Sequence, residues 1–310
     1  MAKRLLSWLL ALLMPLTALA EGMQRVYLAG ETEPFPEDAE LLTLRVCPLL
    51  GADSMLLTLG EHSMLIDAGK KTDLEAIHAM LADAGLTGVE YLFLSHPHVD
   101  HAGCVALLAE EGFGIGTCFN FFPYDYMDET PDAQRVLQVS SIKALQAAGV
   151  PIVDLKTEDT IPFGSAQLTV YRLPEERITP YWECNNLSAM LMIRYGDCSL
   201  LLTADVENRV QPILAELYDL KADILKYPHH GTVTVHNAFL SDVAPEYVFF
   251  THGTKDTLDA QKHLIRHGCA RMTFATWGQI TLQTDGETWI VRQDVKPELQ
   301  EYARKYKIGQ

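Results

Sequence analysis

His96-Pro97-His98-Val99-Asp100-His101 places three imidazoles and a carboxylate within six residues, and the rest of the chain takes its meaning outward from it. Imidazole nitrogen and carboxylate oxygen are the donors a borderline cation such as zinc accepts, and two ions about 3.5–4 Å apart need two sets of them. His96 and His98 are two residues apart, so on an extended loop they point the same way, while Asp100 and His101 fall beyond the turn and can face a second ion. Before the loop, Tyr91-Leu92-Phe93-Leu94-Ser95 is an apolar run of the kind a buried strand shows, and after it Cys104 to Glu110 has a helical pattern. Strand, ligand loop and helix together are the context a metal motif needs.

His-x-His-x-Asp-His after an apolar strand resembles the signature of the metallo-β-lactamase-fold hydrolases. Leu65-Ile66-Asp67-Ala68-Gly69 is similar to that family's early strand ending in Asp and Gly, and Leu200-Leu201-Leu202-Thr203-Ala204-Asp205 to the strand ending in its metal-bridging Asp. Leu225-Lys226-Tyr227-Pro228-His229-His230-Gly231 resembles its last histidine motif. Together with Asn185-Asn186-Leu187-Ser188, this tail is similar to the hydrolase domain of the ComEC competence proteins and their free-standing relatives, and to the bacterial surface phosphorylcholine esterases. The resemblance implies a four-layer αββα sandwich of α/β class and two divalent metal ions, zinc or alternatively manganese. The implied ligands are His96, His98, Asp100, His101, Asp205 and His230. It also gives Asp67 a supporting place behind the histidine loop, fixing ring orientation by hydrogen bonds; a plain Asp-Ala-Gly turn is the other reading.

No histidine lies between His101 and Asp205, where β-lactamases and glyoxalases of this family place a third imidazole for the first metal. Asn185 or Asn186 can offer a carbonyl or orient a water there, Cys184 can bind as thiolate, or the asparagine pair is only a turn. Two divalent ions lower the pKa of a water between them toward neutrality, so hydroxide needs no separate strong base. Asp100 and Asp205 then act as ligands and water orienters. Of the last histidine pair, His230 is read as the ligand and His229 as a donor to a substrate oxyanion. His252 ends the apolar run Phe249-Phe250-Thr251 and is a candidate for the site rim; His62, His78, His236, His263 and His267 are read as surface residues.

The 310 residues, 48 % of them hydrophobic, suffice for one large domain or two small ones. Lys3-Arg4, the apolar run Leu5 to Leu13 and Ala18-Leu19-Ala20 have the form of a secretory signal peptide over residues 1–20. Residues 21–40 then read as a lead-in, 41–295 as the hydrolase-like domain and 296–310 as a polar tail. In an exported chain six cysteines permit disulfides, yet their spacing forms no framework, and Cys47 and Cys198 sit in strand-like runs as buried thiols. Removal of Lys3 and Arg4 with the leader takes the net charge from −17 to −19. Such a surface repels a polyanion, which disfavours nucleic acid and points to a small-molecule or cell-envelope ester.

Along the chain, strands are expected at 41–49, 55–59, 63–66, 150–155, 166–173, 187–193, 247–250 and 272–275, with a closing hairpin over 279–292. Helices are expected at 72–84, 133–148 and 206–217. Two loops, Phe119 to Glu129 and Tyr181-Trp182-Glu183, mix aromatics with carboxylates and suit a quaternary ammonium or sugar-like group, if they are not simply packed on the sheet. The leading expectation is an extracytoplasmic two-metal phosphodiesterase. The alternatives are amide, lactam or thioester hydrolysis in the same fold, or a metal-binding surface module without turnover.

Overall fold

Leu92, Phe93 and Leu94 point alternately to the two faces of one strand and all three are buried, which requires a layer of structure on each side of the sheet. The computed structural model describes residues 24–120, 132–178 and 183–299. In chain order the first sheet takes β1 (Val26–Leu28), β2 (Leu42–Val46), β3 (Met55–Leu59), β4 (His62–Ile66), β5 (Gly88–Leu94), β6 (Gly114–Asn120) and β7 (Ile152–Asp154). The second takes β8 (Thr160–Phe163), β9 (Ala166–Tyr171), β10 (Met190–Tyr195), β11 (Cys198–Leu202), β12 (Ile224–Lys226), β13 (Tyr247–Phe250) and β14 (Met272–Phe274). β15 (Gly278–Thr284) and β16 (Trp289–Val295) then return to the first sheet as an antiparallel hairpin, β15 pairing with β2 and β16 with β1.

Helices supply the outer layers. α1 (Leu74–Asp83), α2 (Val99–Ala102), α3 (Val105–Glu110) and α4 (Asp132–Ala147) belong to the crossovers of the first sheet; α5 (Gln211–Leu217), α6 (Asn237–Val243) and α7 (Leu258–Arg266) belong to those of the second. On β4, Met64 and Ile66 enter the core between the sheets while Leu65 enters the core under the first set of helices. On β10, Leu191 and Ile193 face the inter-sheet core and Met190 and Met192 the second set of helices. This is the expected αββα sandwich, and it explains why its central strands read as unbroken apolar runs rather than as alternation.

Three sequence expectations shift. Val26–Leu28 lies in the presumed lead-in, yet it pairs in parallel with Trp289–Val291, so the sheet begins before residue 41. The helix expected over 206–217 starts only at Gln211, because residues 203–210 form turns that hold Asp205 and Glu207 at the site. His263, read as a surface residue, is buried, with Nε2 2.8 Å from Asn237 Oδ1. All six cysteines are free and buried. The presumed signal peptide, most of the aromatic 119–129 loop, Tyr181-Trp182 and most of the tail lie outside the described residues. Among the described residues no helix is long and apolar enough to cross a membrane.

Candidate metal centre

The ends of β4, β5, β11 and β12 converge, and each delivers one part of the site. β5 runs into Ser95 and the histidine loop, whose backbone is locked to its neighbours: Asp53 N donates to Asp100 O (3.0 Å), Ala68 N to His101 O (2.6 Å) and Gly103 N to Gly69 O (2.8 Å). Gly103 has to be glycine, since a Cβ there would lie 2.4 Å from Val99 O and 2.5 Å from Gly69 O. Among the described residues, four of the six non-glycine residues with positive φ, Asp67, Ala204, His229 and His230, stand at this junction. That is the concentration of backbone strain expected where geometry is set by function.

Asp67, at the end of β4, ties the loop together from behind. Its carboxylate accepts from Ser95 N (2.9 Å) and Ser95 Oγ (2.7 Å), and lies 2.7 Å from His101 Nδ1. Because the Ser95 hydroxyl hydrogen goes to Asp67, Ser95 Oγ is left as acceptor for His96 Nδ1 at 3.1 Å. His96 therefore turns an unprotonated Nε2 outward, 3.1 Å from His98 Nδ1 and 3.9 Å from Asp205 Oδ2. Asp67 thus joins Ser95 and His101 through its carboxylate, and its αL backbone supplies a turn as well.

On the other side, His101 Nε2 lies 3.3 Å from Asp205 Oδ1 and His230 Nε2 lies 3.4 Å from Asp205 Oδ2 and 3.5 Å from Asp100 Oδ2. His230 is held through Nδ1, 3.1 Å from Asp53 Oδ1 and 2.9 Å from Thr251 Oγ1. The other oxygen of Asp53 pairs with the ammonium of Lys226, which is fully buried and donates to Ala204 O (3.0 Å). Two groups of donors result, each within 4.8 Å internally: His96, His98 and Asp205, and Asp53, His101, Asp205 and His230. Asp53 faces the Nδ1 side of the rings and the lysine, so it supports the second group rather than completing it. Asp100 stands at the rim, its side chain 25 % exposed.

The electrostatics differ between the two arms. Burial lowers the pKa of His96 and His98, so both are neutral donors. At His101 burial opposes protonation, but the Asp205 and Asp67 carboxylates outweigh it and raise the pKa to about 10; His230 is raised in the same way by Asp205 and Asp53. Asp205 itself, despite burial, is held well below the carboxylate range by His230 and His101. Asp53 is lowered against its burial, chiefly by Lys226 and then His230.

The donor set fits metal ions. His101 Nε2, His230 Nε2 and Asp205 Oδ1 are buried with no hydrogen-bond partner among the described residues, and such groups cost about 1–3 kcal/mol each unless something satisfies them. They converge on the same space, where a cation would take all three. His96, His98 and Asp205 lie close enough together to fit one further ion, with His96 Nε2 and His98 Nδ1 3.1 Å apart.

The remaining sequence candidates separate clearly. His229 is a quarter exposed; its Nδ1 lies 3.2 Å from Glu207 Oε1 and its Nε2 3.8 Å from Asp205 Oδ2, so the ring is aimed at the cluster from outside. Asn185 and Asn186 lie in the 3₁₀ turn Cys184–Leu187. Asn185 Nδ2 donates to Glu207 (3.0 Å), while the buried side-chain amide of Asn186 has no hydrogen-bond partner among the described residues. Cys184 stands in neither donor group, and burial pushes its thiol up. His252 lies one residue beyond Thr251, with Nδ1 3.2 Å from Asp256. Asp53, Lys226 and Glu207 received no role from the sequence. Lys226 and Glu207 adjoin motif residues, but Asp53 is 177 positions from the histidine it holds and carries no local signal.

Residues 47–117 match the family model of the metallo-beta-lactamase superfamily. Among solved structures the chain is similar to CmlA, a diiron β-hydroxylase from Streptomyces venezuelae, at 14 % identity and a TM-score of 0.53, over 83 % of this chain and 56 % of that one. It is also similar to the metallo-β-lactamase-fold protein YhfI from Bacillus subtilis, at 13 % identity and a TM-score of 0.49, over 76 % of this chain and 96 % of that one. No curated protein matches. Fold and site together define a protein of the metallo-β-lactamase fold. More particularly, it is one whose Asp/His cluster has the donors for a dinuclear metal centre.

Proposed function

We propose that this protein is a metal-dependent hydrolase that cleaves a phosphodiester, a free-standing relative of the ComEC hydrolase domain acting outside the cytoplasm after removal of its leader. The observation that carries the reading is His229: a partly exposed imidazole with Nδ1 3.2 Å from Glu207 Oε1 and Nε2 directed at the donor cluster, belonging to neither donor group. When bound, two divalent ions supply Lewis acidity and a water of lowered pKa. His96, His98 and Asp205 would hold one, and Asp100, His101, Asp205 and His230 the other. His229 would then offer Nε2 at the open side, as an acceptor in the tautomer that the Glu207 carboxylate beside Nδ1 favours and as a donor to a phosphoryl oxygen in the imidazolium form.

Two divalent ions would neutralise the carboxylates of Asp53, Asp67, Asp100, Asp205 and Glu207, which with Lys226 make up the charge of the centre, so that an anionic phosphodiester can approach it. The same acidity of the whole chain, −17, keeps long polyanions away and favours a small or cell-envelope ester. Nitrogen and oxygen donors suit zinc or manganese.

The protein supplied with zinc or manganese is to be assayed on bis(p-nitrophenyl) phosphate and p-nitrophenylphosphorylcholine beside nitrocefin and a thioester. Turnover of the phosphodiesters alone is the expected result, and a preference for the choline ester would give the aromatic loops a role. Turnover of nitrocefin or the thioester instead would replace this reading with acyl hydrolysis, and metal binding without any turnover would make the protein a binding module.

A further inference from the structure

We infer that the protein has a second small-molecule site, in a cleft between the end of β9, the turn at 156–158 and the end of α5, and that this site takes a short free peptide as a zwitterion. Arg172 receives the carboxylate, and the glutamates of the rim receive the ammonium. The inference goes beyond the reaction proposed above and does not depend on it.

The cleft has a volume of about 420 Å³, within the range of small-ligand sites, roughly 300–1,000 Å³. Leu173, Pro174 and Leu217 give it an aliphatic wall, and Leu217 stays 39 % exposed at its edge. Three segments of the chain are tied together beneath it. Arg172 N donates to Thr157 Oγ1 (3.3 Å), Thr157 Oγ1 donates to the Tyr218 hydroxyl (2.9 Å), and that hydroxyl donates to Arg172 O (3.0 Å). The Tyr218 ring also stacks on Tyr171, with centroids 4.7 Å apart. Walls joined in this way are preformed, so a ligand has little ordering to cause on entering.

Charge selects the ligand. Arg172 lines the cleft with only 4 % of its surface exposed, and its planar fork matches a carboxylate. Its Nη2 lies 3.8 Å from Glu175 Oε1, an ion pair longer than a hydrogen bond, and the Glu175 side chain is 60 % exposed and able to turn toward a ligand ammonium. Glu176 follows on the same rim, and Glu158 stands on the opposite segment. Glu158 is held by its N–H to Val170 O (2.7 Å) with φ at +68°. Of the two non-glycine residues with positive φ that stand away from the metal centre among the described residues, it is the one that lines a cavity. Burial raises the Tyr218 pKa; the bond from Thr157 opposes this, Glu158 and Glu176 add to it and Arg172 opposes it, so both signs of charge bear on the same phenol. With Lys156, two basic and three acidic side chains line one small cleft. A simple anion or a simple cation would meet like charge there, whereas a molecule with one group of each sign on an aliphatic frame meets complementary charge at both ends.

The test is calorimetric titration of the metal-loaded protein with leucylleucine, N-acetyl-leucylleucine and leucylleucinamide. One leucylleucine is expected to bind per chain, and acetylation and amidation should each weaken binding about tenfold, the loss of one charge-assisted contact. Arg172→Gln should abolish the preference for the free acid over the amide, and Glu175→Gln combined with Glu176→Gln should abolish the preference for the free amine. Leu217→Trp, which fills the cleft from its exposed edge, should remove binding altogether; it carries the test with the glutamate variants if Arg172→Gln does not fold. The site is overturned if millimolar leucylleucine shows no saturation, if the three peptides bind alike, or if binding survives Leu217→Trp, as it would for a peptide held by the metal centre.

Discussion

His101 has a carboxylate against each ring nitrogen, Asp67 on Nδ1 and Asp205 on Nε2, and this arrangement turns a mobile imidazole into an aimed donor. Losing such an outer partner typically costs 10–100-fold in metal affinity. Asp67→Ala should therefore weaken zinc binding by about that factor in chelator competition, and unchanged affinity would remove Asp67 from the site. Glu207 and His229 make a separable pair. His229→Gln should reduce kcat on a phosphodiester about 10²-fold with metal content unchanged, and Glu207→Gln about tenfold; loss of metal in either variant would mean that His229 is a ligand instead. Lys226 is a different kind of residue. With its ammonium buried against Asp53, Lys226→Met leaves a buried carboxylate uncompensated and should cost about 3–5 kcal/mol in denaturant unfolding. The candidate donors were legible because four of them stand within six residues; Asp53 was not, because its partners come from distant strands and nothing in Gly51-Ala52-Asp53 distinguishes a histidine-orienting acid from a turn.

At the level of elements, the site depends on strands that stop where an αL residue can begin. β4 leads to Asp67, β11 to Ala204 and β12 to His229 and His230, all with positive φ. Gly231 follows at φ +92°, and a Cβ there would sit 2.3 Å from Phe250 Cδ1. Gly231→Ala thus combines an αL penalty of about 1–2 kcal/mol with overpacking of about 1–3 kcal/mol. A drop in Tm of at least about 5 °C is expected; wild-type Tm would show that the ring can move aside. The central strands were readable from sequence because both their faces are apolar, as were the closing hairpin around Asp285-Gly286 and the helix ends at Gly85 and Gly149. β1 was not readable: its three residues have no pattern of their own and are strand only because β16 offers an edge. The turns over 203–210 defeated the helical reading for a related reason, since Asp205 and Glu207 are placed by their partners and not by local propensity.

For the molecule as a whole, the centre links folding, pH and metal. Without metal, His101 has a folded pKa of about 10 against an ordinary 6.5, so its contribution to stability is complete below about pH 6.5 and is lost as pH rises toward 10; His230 acts in the same direction. Metal must displace those protons, so its affinity rises with pH. The Tm of the metal-free protein should fall between pH 7 and 10, while the gain in Tm on adding zinc widens over the same range. Parallel curves would mean that neither histidine is protonated in the metal-free fold. The most direct measurement of the central claim is a titration of metal-free protein with zinc or manganese, reading bound metal and bis(p-nitrophenyl) phosphate turnover together. Two ions bound per chain, with turnover appearing as the pair is completed and absent in Asp205→Asn, is the result expected from an Asp205 shared by both donor groups. Phosphodiester turnover by the metal-free protein, or full turnover in Asp205→Asn, would contradict it.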